Sequence, residues 1–255
     1  MPVLVPDWEA PGNVSALSTT RRGGTSAAPY DDGGGAGGLN LGVHVGDSPQ
    51  AVAANRALLR SRLPAEPGWL TQVHGSQVVD AREASRAMES GSMLNADACI
   101  ATKPGVVCVI QTADCLPVLF CDSAGKVVGA AHAGWRGLAN GVLENTVARM
   151  REAGAGDILA WLGPAIGPSC FEVGDDVVQA FVEHDGGCAS AFVPRAGTAS
   201  KHLADIYALA RRRLASAGVA RVWGGTRCTV SERDQFYSYR RDGVTGRMAS
   251  LIWFK

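Results

Sequence analysis

Three short segments of the chain place a metal-binding or nucleophilic side chain beside a glycine or a chain reversal. The segments are residues 72–75 (Gln-Val-His-Gly), 112–115 (Thr-Ala-Asp-Cys) and 132–137 (His-Ala-Gly-Trp-Arg-Gly). They carry His74, Cys115 and His132. Two imidazoles and one thiolate are a plausible ligand set for zinc, and three protein ligands leave a fourth position open, as in a catalytic zinc site.

The same three residues also permit chemistry without a metal. A histidine that takes the proton of a neighbouring thiol activates it as a nucleophile, so Cys115 could form a Cys–His pair with His132 or His74. No two of the three lie at the short spacing of a compact metal motif. The spacing alone therefore leaves open a zinc site, a Cys–His pair and a set of unreactive structural side chains.

Two arginines beside glycines are candidates for binding an anion. Arg136 lies between Gly134 and Gly137 at the predicted start of a helix, where free backbone N–H groups and a guanidinium favour negative charge. Arg21 is followed by Arg22 and then by Gly23 and Gly24, and it offers a second possible anion site. Either guanidinium could instead have a purely structural role. We expect His44 to be structural, and we expect His184 and His202 to lie on the surface.

A β-hairpin is predicted to bring Cys115 and His132 together. Three short apolar runs are typical of strands: residues 106–110, 117–120 and 126–131. Residues 122–125 (Asp-Ser-Ala-Gly) are typical of a hairpin turn. Cys115 then lies near the beginning of the hairpin and His132 just past its end. Those positions can share one edge of an antiparallel pair, whereas His74 must come from elsewhere in the fold.

Strands and helices mix along the chain without a regular βαβ rhythm, which predicts an α+β fold in a single mixed α/β domain over residues 1–255. Ser48 and Pro49 are typical of the start of a helix. The predicted helices are residues 49–63, 138–152, 205–217 and a helix capped by Asp175 or Asp176 that runs to His184. Further strands are predicted over residues 158–162 and 249–254. The Gly-rich residues 31–38 predict a loop.

The composition excludes several classes of protein. The 24 Lys and Arg balance 24 Asp and Glu, which argues against a duplex nucleic-acid binder. No apolar run approaches the ~20 residues that span a bilayer, and no signal-peptide pattern is present, so we expect a soluble cytoplasmic protein without a membrane partner. The seven cysteines are an odd number and contain no Cys-x-x-Cys pair, which argues against a disulfide framework.

The candidate segments belong to a longer series of blocks that runs in order along nearly the whole chain. The other blocks are residues 20–24 (Thr-Arg-Arg-Gly-Gly), 39–47 (Leu-Asn-Leu-Gly-Val-His-Val-Gly-Asp), 161–168 (Trp-Leu-Gly-Pro-Ala-Ile-Gly-Pro), 228–229 (Cys-Thr) and 238–242 (Ser-Tyr-Arg-Arg-Asp). This series resembles the bacterial family of laccase-domain or multicopper polyphenol oxidase proteins, whose members are also described as purine nucleoside phosphorylases. The Gly-rich residues 33–38 form a longer segment than is usual in that family.

The resemblance implies a fold, a metal and an activity. The fold would be the mixed α/β fold of cysteine hydrolases, related to deamidating toxins. One zinc, with copper as a possible alternative, would be held by His74, Cys115 and His132. The activity would be phosphate-dependent cleavage of adenosine, inosine, guanosine and methylthioadenosine, together with adenosine deamination. The partners would be a purine nucleoside and phosphate, bound by a monomer.

The resemblance also suggests roles for individual residues. We expect Cys115, His132 and Arg136 to be catalytic. We expect Arg21, Asn40 and Arg136 to bind substrate, with phosphate near Arg136 and Arg21.

Three other functions are compatible with parts of the sequence. A copper-dependent polyphenol oxidase needs several coppers held largely by His-x-His pairs, but the chain has five histidines and no such pair. Oxidase activity would then come from copper at the His and Cys site. A Cys–His amidase that edits peptidoglycan precursors would use Cys115 and His132 for acyl transfer without a metal. A binding module would retain the zinc and bind nucleosides without turnover.

Overall fold

The computed structural model describes residues 1–198 and 200–255, and these contain fourteen strands and seven α-helices. The strands are β1 (Val3–Leu4), β2 (Val14–Thr19), β3 (Arg22–Ser26), β4 (Val78–Asp80), β5 (Ala98–Ala101), β6 (Val107–Thr112), β7 (Leu116–Asp122), β8 (Val128–Ala133), β9 (Ile158–Leu162), β10 (Glu172–Gly174), β11 (Phe192–Pro194), β12 (Lys201–Ala204), β13 (Arg221–Gly224) and β14 (Met248–Phe254). The helices are α1 (Pro49–Arg60), α2 (Ala81–Glu89), α3 (Trp135–Ala139), α4 (Val142–Glu152), α5 (Asp175–Val182), α6 (Ile206–Ser216) and α7 (Tyr239–Asp242), with a 3₁₀-helix over Gly186–Ala191.

Thirteen of the fourteen described strands form two large sheets and one small sheet. The six-stranded sheet has the order β13-β9-β7-β8-β5-β4, with parallel pairs at both edges and antiparallel pairs between them. The four-stranded antiparallel sheet has the order β1-β2-β14-β6, and β10-β12-β11 form the small sheet. This architecture confirms the predicted mixture of helices and strands. No helix in the described residues is long and apolar enough to cross a membrane.

The alternation of side chains along the strands explains how the layers pack. In β7, Leu119 lies in the core between the two large sheets, whereas its neighbour Phe120 lies on the opposite face against the helices α4 and α6. In β14, Ile252 joins the core between the sheets and Leu251 packs outward with Leu59 of α1. Successive strand residues point to opposite faces, so strands with both faces covered read as continuous apolar runs.

The predicted hairpin is confirmed and positions two of the candidate residues. β7 and β8 pair antiparallel, with Leu116 opposite Ala133 and Pro117 opposite His132. Cys115 directly precedes β7, so it lies beside the end of β8. His132 is inside β8, whereas the sequence predicted it to follow the strand. The hairpin closes over a turn in which the Gly125 N–H donates to the carbonyl of Asp122 at 3.0 Å.

The predicted continuous helix over residues 138–152 is wrong, because the structure has two helices there. Gly141 separates α3 from α4 and has φ 85°, a left-handed conformation that suits glycine. By contrast, the helix predicted from Ser48 and Pro49 is confirmed as α1, and the Ser48 side chain accepts a hydrogen bond from the Ala51 N–H. The apolar pattern continues through Gly141, which is why periodicity alone did not reveal the break.

Two later helices were predicted correctly apart from their ends. The N-cap of α5 is Gly174 and not Asp175 or Asp176, which lie in its first turn. The carboxylate of Asp205 caps α6 by accepting from two backbone N–H groups. The strands at residues 158–162 and 249–254 are also confirmed, as β9 and most of β14.

The Gly-rich loop is confirmed in residues 31–37, which form neither helix nor strand. The carboxylates of Asp31 and Asp32 accept hydrogen bonds from the backbone N–H groups of four following residues: Gly33, Gly34, Gly35 and Ala36. Short acidic side chains that bond backbone N–H groups nearby are typical of tight turns.

Candidate metal centre and cavity

His74, Cys115 and His132 come together in the structure, as the sequence predicted. Their donor atoms all lie within 4.8 Å of one another. The Nε2 atom of His74 is 3.8 Å from the sulfur of Cys115, and the two imidazole rings meet edge to face with centroids 4.8 Å apart. The hairpin β7–β8 supplies Cys115 and His132, and the loop before β4 supplies His74. The three side chains can hold one metal ion.

The buried carboxylate of Asp97 orients both histidines. Its Oδ1 atom lies 2.8 Å from Nδ1 of His132, and the backbone N–H groups of Val73, His74 and Gly75 donate to the same carboxylate at 2.7–3.1 Å. Burial acts to raise the pKa of Asp97, but the hydrogen bonds from His132 and Gly75 lower it. An ionised Asp97 accepts a hydrogen bond from Nδ1–H of His132. This bond leaves Nε2 as the nitrogen that can bind a metal, an arrangement common around histidine ligands.

The sequence analysis did not identify Asp97. It directly precedes β5, whose four residues are all buried. A carboxylate next to a fully apolar strand is costly to bury unless it is hydrogen-bonded. The position of a carboxylate beside an apolar strand was therefore the feature of the sequence that indicated a hydrogen-bonding partner for Asp97.

The pKa values of Cys115 and His132 are shifted in opposite directions. Burial acts to raise the pKa of the Cys115 thiol, but the imidazoles of His132 and His74 lower it to about 6. Burial acts to lower the pKa of His132, but Cys115 and then Asp97 raise it to about 9. At neutral pH the pair is a thiolate beside an imidazolium. This charge state suits a nucleophilic cysteine, and loss of the His132 proton converts the pair into metal ligands.

Two residues of the site have strained backbone conformations. His74 has φ 60° and Asp114 has φ 95°, both in the left-handed region that non-glycine residues rarely occupy. The three N–H bonds to Asp97 hold the His74 loop. The carboxylate of Asp114 faces away from Cys115, because it accepts from the hydroxyl of Thr229 at 2.5 Å and from the N–H of Arg240 at 2.7 Å. Asp114 therefore fixes the turn that presents Cys115.

The glycines of the segment 132–137 make room for the site. A Cβ atom on Gly134 would lie 2.9 Å from Cδ2 of His74 and 3.0 Å from the sulfur of Cys115. A Cβ atom on Gly137 would lie 2.8 Å from the carbonyl oxygen of Gly75. The absence of side chains at both positions lets α3 pack directly against the hairpin and the His74 loop.

The three residues predicted to bind substrate lie apart from the His–Cys–His group. Arg136 is exposed, and its guanidinium lies 4.4 Å from the centroid of the Trp135 ring. Arg21 is buried and donates to backbone carbonyls, among them that of Asp31. Asn40 is fully buried and is hydrogen-bonded to neighbouring loops. None of these three belongs to the described residues that line the cavity at the site.

The His–Cys–His group opens into a cavity of about 620 Å³. This volume is in the range of small-molecule binding pockets. The described lining residues are Val43, His44, Arg56, Leu70, Thr71, Gln72, His74, Met93, Gln111, Thr112, Ala113, Cys115, His132, Tyr239 and Arg247. Three of them, Val43, Met93 and Tyr239, are large apolar or aromatic side chains that are more than two-fifths exposed. The cavity therefore combines exposed apolar side chains with polar and charged ones.

Residues 15–255 match the model of a family described as multi-copper polyphenol oxidoreductase laccase. The chain belongs to this family. It is 53% identical to a purine nucleoside phosphorylase of Pseudomonas aeruginosa over 99% of this chain and 98% of that protein. It is 51% identical to the purine nucleoside phosphorylase YfiH of Escherichia coli over 98% of both chains.

Solved structures of family members share the fold over nearly the whole chain. A Neisseria meningitidis protein of the DUF152 family superposes with a TM-score of 0.90 at 50% identity, over 100% of both chains. YlmD from Geobacillus stearothermophilus superposes with a TM-score of 0.80 at 32% identity, over 96% of this chain and 93% of that one. The predicted family and the predicted mixture of α-helices and β-strands are thus confirmed.

The family description names several coppers, but the described part of this chain brings together one group of three metal-binding side chains, at His74, Cys115 and His132. A multicopper oxidase requires a blue-copper site and a multinuclear centre with many histidines. The described residues therefore provide ligands for one metal ion and not for a multicopper centre.

Proposed function

We propose that this protein is a zinc-dependent purine nucleoside phosphorylase that cleaves adenosine, inosine, guanosine and methylthioadenosine with phosphate, and that it also deaminates adenosine. The observation that carries the proposal is the group formed by His74, Cys115 and His132 at the wall of a cavity of about 620 Å³. Relatives that are about half identical to this chain over nearly their full length are named purine nucleoside phosphorylases, which supports the same activity.

The donor set fits zinc. A tetrahedral zinc with ligand bonds of about 2.0–2.3 Å places its ligand atoms about 3.6 Å apart. The spread of at most 4.8 Å among the three donors needs only a small contraction to reach that geometry. Asp97 accepts a hydrogen bond from Nδ1 of His132, so Nε2 is the nitrogen that binds a metal once the imidazolium loses a proton, and Cys115 is ionised at neutral pH. When bound, zinc supplies a Lewis acid with an open coordination position; copper is accepted by the same ligands.

The rim of the cavity provides a place for the purine. Val43, Met93 and Tyr239 are exposed at this rim, although large apolar side chains usually avoid water. A flat aromatic base can stack on the Tyr239 ring and cover the neighbouring aliphatic groups. The ribose and phosphate then lie among the polar side chains of the lining. All of these groups belong to one chain, so the proposed site requires no second copy. We place the protein in the cytoplasm, where thiols such as Cys115 stay reduced.

A chromatographic assay of purified protein with quantified metal tests the proposal. Adenosine and inosine are incubated with and without phosphate, and free purine, ribose 1-phosphate and inosine formed from adenosine are measured. We expect base release only with phosphate, and its loss in Cys115→Ala. Cys170→Ala, at a half-exposed cysteine outside the cavity, is the matched control and retains activity. Phosphorolysis that persists unchanged in folded Cys115→Ala contradicts the proposal.

The geometry also favours a second candidate function. Cys115, His132 and Asp97 form a thiolate, an imidazole and an orienting carboxylate in the order of a cysteine hydrolase triad. Such a triad suits a metal-independent amidase acting on peptidoglycan precursors, and it agrees with the expected likeness to the cysteine hydrolase fold. The test is intact-mass analysis of chelator-treated protein with a precursor peptide. A thioester adduct on Cys115 supports the amidase, and its absence together with zinc-dependent phosphorolysis excludes it.

A further inference from the structure

Two arginines and one histidine outside the His–Cys–His group line the same cavity. They are Arg56 of α1, Arg247 directly before β14, and His44 of the loop before α1. The described residues of the lining include no carboxylate, although the chain as a whole carries equal numbers of acidic and basic residues. The cavity interior therefore has a local excess of positive charge.

The guanidinium of Arg56 is held in one orientation, and the charge of Glu66 acts on it only from beyond ion-pair distance. It lies 3.9 Å from the centroid of the Trp69 ring, and its Nε–H donates to the carbonyl of Leu41 at 3.0 Å. In the described part of the chain its two terminal nitrogens donate to no protein acceptor, and no carboxylate forms an ion pair with it. A half-buried charge fixed in this way is costly unless a ligand supplies the opposite charge.

Arg247 is built into the wall in a similar manner. Its Nη1 donates to the carbonyls of Thr245 and Gly246 at 3.1 and 3.0 Å, whereas Nη2 has no acceptor among the described residues. A Cβ atom on Gly42 would lie 2.8 Å from Cγ of Arg247, so glycine at that position lets the arginine stem lie against the backbone. One face of this guanidinium is thus anchored and the other is free for a ligand.

His44 lies within the electrostatic range of both arginines. Partial burial lowers the pKa of its imidazole, and the charges of Arg247 and Arg56 lower it further. The pKa values of both arginines are also lowered by burial, that of Arg56 to about 10. An anion among the three groups would relieve these unfavourable interactions.

We propose that Arg56, Arg247 and His44 form the phosphate subsite of this cavity. The inference rests on the proposed phosphorylase function and deepens it, since it names the groups that hold the second substrate. Two guanidiniums present planar pairs of donors that match phosphate oxygens, and the imidazole adds a third donor. It replaces the expectation that phosphate binds near Arg136 and Arg21, because Arg136 is exposed and Arg21 is committed to backbone carbonyls.

The test compares inorganic phosphate in two measurements on metal-loaded protein: direct binding without nucleoside, by calorimetry, and KM for phosphate during phosphorolysis. We expect Arg247→Gln and Arg56→Lys to weaken phosphate binding and raise this KM roughly 10- to 100-fold, with KM for inosine changing little. Arg60→Gln on the same helix is the matched control, since Arg60 faces Glu66 outside the cavity, and it leaves both values unchanged. Metal content and thermal unfolding verify that each variant is folded.

His44→Asn keeps the test informative if Arg56→Lys does not fold, because His44 is exposed and its replacement removes one donor without opening the core. Unchanged phosphate binding in folded Arg247→Gln and His44→Asn overturns the subsite, as does weakened binding in Arg136→Gln alone. If the wild-type protein binds phosphate through these residues but releases no purine, the subsite stands and the phosphorylase function fails.

Discussion

At the scale of single residues, the candidate site depends on Asp97. This carboxylate is fully buried, and its partners are the ring of His132 and three successive backbone N–H groups around His74. One side chain thereby sets the tautomer of one candidate ligand and the position of another. Metal affinity should respond to Asp97 although it does not belong to the ligand group.

Replacing Asp97 with Asn should weaken zinc binding by about 10- to 100-fold, the usual effect of removing a carboxylate behind a histidine ligand. The uncharged amide cannot balance the positive charge of a protonated His132. Its single oxygen also accepts hydrogen bonds from fewer of the backbone N–H groups. Competition against a chromophoric chelator measures the affinity. Asp80→Asn, which alters the N-cap of α2 away from the site, serves as the control. Equal zinc affinity in folded Asp97→Asn and wild type would show that Asp97 has no influence on the metal.

The pKa of Cys115 leads to a prediction for chelator-treated protein. Alkylation of Cys115 by iodoacetamide should follow a midpoint near pH 6, and the midpoint should move upward in His132→Asn, because the imidazolium lowers this pKa. Peptide mass spectrometry separates Cys115 from the other cysteines. A midpoint that stays at pH 6 in folded His132→Asn would refute this cause.

Cys115 and His132 contribute opposite slopes to the pH dependence of the free energy of unfolding. The lowered pKa of Cys115 makes stability rise with pH between about 6 and its unfolded value of 9. The raised pKa of His132 makes stability fall with pH between its unfolded value of 6.5 and about 9. The two slopes oppose each other over nearly the same interval. Zinc affinity, in contrast, rises with pH toward 9, since the metal must displace the His132 proton.

At the scale of secondary-structure elements, the site is a junction of the hairpin β7–β8, the His74 loop and α3. The close approach of α3 depends on Gly134, where any side chain would contact His74 and Cys115. A helix of only five residues is thus positioned by the hairpin and in turn confines two candidate ligands.

Gly134→Ala should reduce zinc binding and activity by at least 10-fold while the protein remains folded, because the new methyl group must displace His74 or Cys115. Zinc content per chain and the thermal midpoint are measured together. Gly156→Ala is the control, since a Cβ atom there meets no atom within 4 Å. Full zinc content in Gly134→Ala would mean that the backbone of α3 moves to make room for the methyl group while His74 and Cys115 stay in place.

The limits of sequence-based prediction follow from the same elements. The hairpin was predictable because the turn at residues 122–125 and the strands beside it are local in sequence. Asp97 was not, because its partners lie more than twenty residues away and only the fold brings them together. Arg56 was missed because it lies within an ordinary amphipathic helix, and only the cavity shows what its guanidinium faces.

At the scale of the whole molecule, the formal net charge is zero, yet the cavity is cationic. Long-range attraction of anions is therefore weak, and the local field of the cavity acts over about a Debye length, 8–10 Å at physiological salt. The two substrates should differ in their response to salt.

KM for phosphate should rise as sodium chloride is increased from about 0.05 to about 0.5 M (roughly one-half to five times the ~0.1 M at which the Debye length is 10 Å), because added ions screen the cavity charges. KM for inosine, which is uncharged, should change much less. Steady-state kinetics at matched pH and at several salt concentrations measure both. A parallel increase in the two constants would point to an effect of salt on the whole site.

The candidate ligands differ in their access to solvent: His132 is buried within β8, whereas His74 is exposed on a loop. A metal ion would therefore enter and leave by the His74 side, and its residence time would be set by the opening of that loop and not by unfolding of the sheet. The backbone N–H groups of residues 73–75 all donate to one carboxylate, so a change at Asp97 affects all three bonds at once. Asp97 would therefore control the opening of the His74 loop and, through it, the release of the metal.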